Sequence, residues 1–167
     1  MIVNTALKNN YNITFSNNIA EVRSQINKSH NALHALQVFN IGAVIANFSA
    51  RETLREPNYL TVQTGETTHI LLAPEYLQYI NHSCNPNCFF NTATMQLECL
   101  KPIAPNDEFT FFYPSTEWQM EQPFACQCNN KNCLSIIQGA NFLNEQALNN
   151  YRFTTFIAAK IASKVYA

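Results

Sequence analysis

The amino-acid sequence predicts a mainly β domain that ends in a cysteine-rich tail and a covering helix. Three observations predict it. Short stretches with alternating apolar residues lie between turn signals at Asn40–Gly42, around Gly65, and from Lys101 to Asn106. Cys126, Cys128 and Cys133 put three thiols into eight residues. Beyond Gln138 the apolar spacing becomes helical, with Phe153, Phe156, Ile157 and Ile161 on one face and Lys160 and Lys164 on another.

In chain order, Tyr11, Ile13 and Phe15, then Val22 and Ile26, predict short strands before residue 28. Leu36–Ile41 and Ala43–Phe48 predict two strands joined by the turn at Asn40–Gly42. Residues 50–72 predict two alternating strands around Gly65, with Tyr59, Thr61 and Gln63 on one side and Leu60 and Val62 on the other. Glu66 and Thr68 are expected to be solvated turn residues. Pro74–Ile80 has the spacing of a short helical turn, and Met95–Leu100 and Glu108–Tyr113 are expected strands. Residues 115–124 link the last strand to the cysteines, and no internal repeat or low-complexity block appears.

With 167 residues, 47% of them hydrophobic and 13% charged, the chain is long enough for one domain with a sizeable core and too apolar for intrinsic disorder. A net charge of −1 with no run of Lys or Arg excludes a broad nucleic-acid footprint. No apolar run is long enough to span a bilayer, and the first fifteen residues are not expected to act as a secretion signal. The expectation is an intracellular monomer: cytoplasmic if bacterial, nuclear or cytoplasmic if eukaryotic.

In a chain without an export signal, a Cys-x-Cys-x4-Cys run points to metal rather than disulfides. Zinc in structural sites takes four ligands, often thiolates. The run supplies three, and Cys84, Cys88 and Cys99 are the candidates for the fourth. A buried free cysteine otherwise behaves as a small apolar residue.

Residues 79–88 read Tyr-Ile-Asn-His-Ser-Cys-Asn-Pro-Asn-Cys. They are followed by Asp-Glu-Phe-Thr-Phe-Phe-Tyr-Pro at 107–114 and by the cysteine run. This order resembles the SET-domain protein-lysine methyltransferases with a post-SET zinc tail, over roughly residues 30–140. The resemblance implies small antiparallel sheets with a pseudoknot. It divides the chain into a SET domain at 1–120, a post-SET segment at 121–140 and a helical extension at 141–167. It also implies S-adenosylmethionine as methyl donor, a structural zinc, and a protein substrate presenting a lysine, with histone as one candidate.

By the same resemblance Cys84 joins Cys126, Cys128 and Cys133 on the metal. Tyr113 is the catalytic tyrosine, with its hydroxyl near the transferred methyl. Asn81 and His82, with Asn31 and Leu33, contact the donor, and Phe124 packs on its adenine or serves as a hydrophobic plug. The lysine channel takes Phe111, in the position that resembles di- and trimethylating members, together with Phe112 and Tyr59. Tyr59 has the competing reading of a packed sheet residue. Phe89, Phe90 and Phe109 are further aromatic candidates near the site, and Glu108 is expected to give structural support.

Two features depart from the family pattern. His30 and Ala32 stand where a Gly-x-Gly turn is usual, and Phe112 replaces the aspartate before the catalytic tyrosine. They motivate an alternative: a SET-fold zinc protein that has lost catalysis and binds other proteins. A four-thiolate iron electron carrier is a third reading that the single cysteine run fits poorly.

Overall fold

The computed structural model describes residues 11–26 and 30–165. The parts of the expected short strands before residue 28 that fall in residues 1–10 or beyond Ile26 lie outside the described residues. Three small sheets meet around one core. In the first, β1 (Tyr11–Ser16), β2 (Ala20–Gln25) and β3 (Asn31–Ala35) form an antiparallel meander. Asn17 closes the first hairpin, its Oδ1 accepting from the amides of Ile19 and Ala20 at 2.9 and 2.8 Å.

β3 accounts for the missing glycines. His30 and Ala32 have no left-handed backbone to accommodate, because residues 31–35 run as a regular strand paired with β2. The strand predicted at Leu36–Ile41 does not form. Leu36, Val38 and Ile41 are exposed, and only Phe39 pairs, bridging to Ile103. That stretch wraps the edge of the core and ends in a turn at Gly42, whose φ is +82°.

β4 (Val44–Asn47) follows, then β5 (Ser49–Leu54), β6 (Val62–Gly65) and β7 (Thr68–Ala73). The last three make a sheet in the order β5-β7-β6, so the region around Gly65 holds three strands rather than two. Residues 58–61 form a turn pinned by Asn58, whose Oδ1 accepts from the Leu60 amide at 2.9 Å. Tyr59 therefore lies off the sheet and is 72% exposed, which overturns its reading as a packed sheet residue. The predicted helical turn is a 3-10 turn at Glu75–Tyr79 that buries Leu77.

The third sheet comprises β4 with β8 (Asn81–His82), β9 (Cys88–Asn91), β10 (Gln96–Cys99) and β11 (Thr110–Phe111), in the order β4-β10-β9-β11-β8. β11 lies parallel to both β8 and β9 and between them. The loop Ser83–Asn87, which joins β8 to β9, therefore crosses the end of β11. Parallel neighbours normally need a crossover of a dozen or more residues. Here five suffice because β8 is only two residues long. Asn87 binds the crossing together, with Oδ1 accepting from the Thr110 amide at 2.8 Å and Nδ2 donating to the Glu108 carbonyl at 2.9 Å. The predicted strand to Tyr113 stops at Phe111, since Tyr113–Ser115 turns into a 3-10 segment with Pro114 in its first turn.

The core joins all three sheets through Leu33, Ile70, Leu72, Leu77, Ile80, Phe90, Leu97, Ile103 and Phe109. After it, β12 (Phe124–Ala125) pairs with β13 (Ile136–Ile137), and two helices follow, α1 (Glu145–Asn150) and α2 (Thr155–Val165). Asn144 caps α1, accepting from the Ala147 amide at 2.8 Å. α2 covers the core with Ile157, fully buried, while Lys160 pairs with Glu66 at 2.7 Å and lies over the Trp118 ring.

Gly139 joins the tail to the domain. Its φ is +115°, and a Cβ there would sit 2.5 Å from the Trp118 carbonyl oxygen. Gly139→Ala is expected to destabilise the fold by at least ~2 kcal/mol, read as a lower urea midpoint. An unchanged midpoint would contradict this backbone fit.

Candidate active site

The Asn81–Cys84 motif is held from both sides of the crossing. Asn81 Nδ2 donates to the Asn31 carbonyl at 3.0 Å and to Glu108 Oε1 at 2.8 Å. Both its protons are spent on protein, and Oδ1 takes no bond from the described residues. Glu108 thus orients Asn81, which is the support expected of it. Burial pushes the His82 imidazole down to about 4, so it is neutral and carries one proton. Nδ1 accepts from the Tyr113 amide at 3.2 Å. The proton therefore sits on Nε2, 3.3 Å from Cys84 Sγ, and the imidazole bridges the tyrosine backbone to a thiol.

Tyr113 is half-buried and donates its hydroxyl to the Ile80 carbonyl at 3.3 Å. Burial, then the Glu108 carboxylate, pushes its phenol up to about 12. It is a hydrogen-bond donor across the ordinary pH range and not a base. Phe111 stacks tilted on it at 4.7 Å between ring centroids.

Two clefts meet at this tyrosine. One, of about 300 Å³, is lined by Val62, Leu72, Ile80, Phe90 and Phe111, with Tyr59 at its edge. The other, of about 570 Å³, is lined by His30, Asn81, His82, Glu108 and the segment Phe124–Cys128. Tyr113 and Phe124 line both, and Phe124 packs edge-on to His82 and Tyr113 at 5.7 and 6.0 Å.

Several predicted residues lie elsewhere. Phe112 does not line the channel. It is buried and stacked on Tyr151, with ring centroids 3.7 Å apart at 8°, because successive residues of an extended segment point to opposite sides. Leu33 is a core residue whose carbonyl accepts from the Phe109 amide, and its side chain lines neither cleft. Asn31 reaches the site through its backbone carbonyl. Phe109 is core, Phe90 is core and channel wall, and Phe89 packs under Arg152.

The sulfurs of Cys84, Cys126, Cys128 and Cys133 lie within 4.8 Å of one another, and Cys84 to Cys126 is 3.9 Å. Four thiolates at about 2.3 Å from a tetrahedral zinc stand about 3.8 Å apart, so the set fits. Cys88 and Cys99 stay outside it, buried as a cross-strand pair in the sheet. Burial and the neighbouring thiolates push the Cys84 thiol up, while Asn130 donors outweigh burial at Cys128 and bring it down to about 6. A dication among the sulfurs removes that mutual repulsion.

Two residues complete the shell, Asn132 inside the cysteine run and Tyr151, which no sequence motif marks. Tyr151 Oη donates to the Cys84 carbonyl at 2.7 Å, and Asn132 Nδ2 donates to the same oxygen. Tyr151 is held there by its stacking on Phe112 and by the Asn132 side chain, which also donates to its hydroxyl at 3.0 Å.

A strand threaded between β8 and β9 thus leads to Tyr113, where two clefts meet beside a cluster of four thiols. The comparisons place this arrangement among methyltransferases. Residues 8–114 match the family described as SET domain. The chain is 36% identical over 125 residues to the methyltransferase flvH of Aspergillus flavus, covering 74% of this chain and 70% of that protein. It is 40% identical over 53 residues to the histone-lysine N-methyltransferase set9 of Schizosaccharomyces pombe, covering 30% of this chain and 11% of that protein. A SET and MYND domain-containing protein of Dictyostelium discoideum is 37% identical over 67 residues, 34% of this chain and 20% of that protein. The chain belongs to the SET domain family.

Proposed function

We propose that the chain transfers a methyl group from S-adenosylmethionine to the side-chain amine of a lysine in a protein substrate, with zinc in the thiol cluster. The observation that carries this reading is Tyr113 shared by two clefts, one polar and one apolar. An in-line displacement needs donor and amine to approach from opposite sides, and alignment with desolvation supplies most of the catalysis.

His30, Asn81, His82 and Phe124 would hold the donor, and the open Asn81 Oδ1 suits its amino group. When bound, the donor supplies a methyl activated on a sulfonium. The apolar cleft takes the lysine. Beside Tyr113 its walls are Ile80, Phe90 and Phe111, which disfavour a charged ammonium there and so favour the neutral amine that can attack. Tyr113, fixed to the Ile80 carbonyl, orients that amine beside the second cleft. The cysteines hold the Phe124–Cys128 wall against Cys84. Histone is one candidate substrate.

The binding-module alternative rested on the absent glycines and on Phe112. β3 needs no glycine, and Phe112 packs away from both clefts. Titrating the zinc-replete protein calorimetrically with S-adenosylmethionine tests the choice. Micromolar binding near one equivalent is expected; a folded, zinc-bearing protein that takes up no donor would favour the binding module.

A further inference from the structure

The apolar cleft contains one group that lysine methylation does not use. Glu117 is only 8% exposed, yet its carboxylate lines the cavity. Oε1 accepts from the Gln63 amide of β6 at 3.0 Å and lies 3.5 Å from Thr116 Oγ1. Oε2 takes no bond from the described residues. A carboxylate buried with so little compensation is costly unless a cation or further donors arrive. Burial pushes it up to about 8, the direction expected of an acid waiting for a partner.

Two further observations say what that partner is. The cavity walls include a second carboxylate, Glu121, and among the described residues no Lys, Arg or His. The Tyr113 hydroxyl is tied to the Ile80 carbonyl ahead of β8, and the Glu117 carboxylate to β6. A cavity of about 300 Å³ is larger than one extended butylammonium chain fills, which leaves room for a second side chain.

Resting on the methyl-transfer reading, we propose that Glu117 is a specificity-determining residue whose free oxygen takes a second cationic side chain of the substrate. The bound segment would then carry an arginine or lysine close to the target lysine. Charged pairs desolvated in this way discriminate strongly between partners.

The test is binding, read without catalysis. Acetylated, amidated tetrapeptides Ala-Arg-Lys-Ala, Ala-Lys-Arg-Ala and Ala-Ala-Lys-Ala are titrated into the donor-saturated protein. The better arginine peptide is expected to bind about tenfold more tightly than the arginine-free one. Glu117→Gln keeps the side-chain shape and an oxygen for the Gln63 amide, and should shrink that preference to about twofold. Glu121→Gln, at the exposed edge, should keep most of it. Equal affinities in the native protein, or a preference that survives Glu117→Gln, would overturn the proposal. Methyl incorporation into the same peptides is scored separately. Selective binding without methylation counts against methyl transfer and leaves the assignment of Glu117 standing.

Discussion

Cys84→Ser is expected to strip the protein of its metal, with zinc content falling from about one equivalent to near zero by elemental analysis. Structural zinc contributes roughly 10–16 kcal/mol of apparent binding energy in small zinc domains, and that energy is folding energy where the site exists only in the folded chain. Cys84 carries more than one quarter of the effect. Its sulfur also receives the His82 Nε2 proton and the Leu134 amide. The substitution should therefore lower the Tm by well over ten degrees and release the Phe124–Cys128 wall, seen as rapid proteolysis after residue 120. Cys88→Ser, at a buried thiol outside the cluster, should leave zinc content unchanged. Full zinc retention in Cys84→Ser would sink the four-thiol assignment.

Tyr113→Phe is expected to lower kcat by about 10²–10³-fold, the effect of removing a preorganised polar group that orients the attacking amine at a reacting centre. Donor affinity should change by no more than about twofold, because the hydroxyl is bonded to the Ile80 carbonyl and the ring packing with Phe111 is kept. No acidic or basic limb of the pH–rate profile should vanish in the variant, since a phenol pushed up to about 12 does not titrate in the working range. An undiminished kcat would remove Tyr113 from the mechanism.

Much of this site is legible in the sequence because its residues lie in short, ordered runs. Three cysteines in eight residues announce a metal centre, and the motif at 79–88 supplies both the fourth thiol and the Asn81–His82 pair. What the sequence hides is direction and distance. Phe111, Phe112 and Tyr113 read as one aromatic run, but the extended backbone sends Phe112 to the opposite side, onto a tyrosine 39 residues away. Tyr59 looks like one of several alternating strand residues until Asn58 and Thr61 close a turn around it. Glu117 carries no motif at all, and its burial follows from a Gln63 amide 54 residues earlier. Leu36–Ile41 shows strand-like composition, but β3 already occupies that position, and composition cannot tell which of two adjacent apolar stretches the sheet selects.

The position of β11 between β8 and β9 also governs the order in which the chain can be assembled. During synthesis residues 81–91 emerge well before Thr110, so β8 and β9 must wait with a strand-wide gap between them. Pairings of this separation carry a loop-closure cost before any contact repays it, and they slow folding. The segment leading to Tyr113 is thus the last piece of the sheet to arrive. Until it does, His82 lacks the Tyr113 amide and Asn87 lacks Thr110, leaving the Asn-His-Ser-Cys loop without its anchor. Tyr113 lines both clefts, so neither can be complete before that late step.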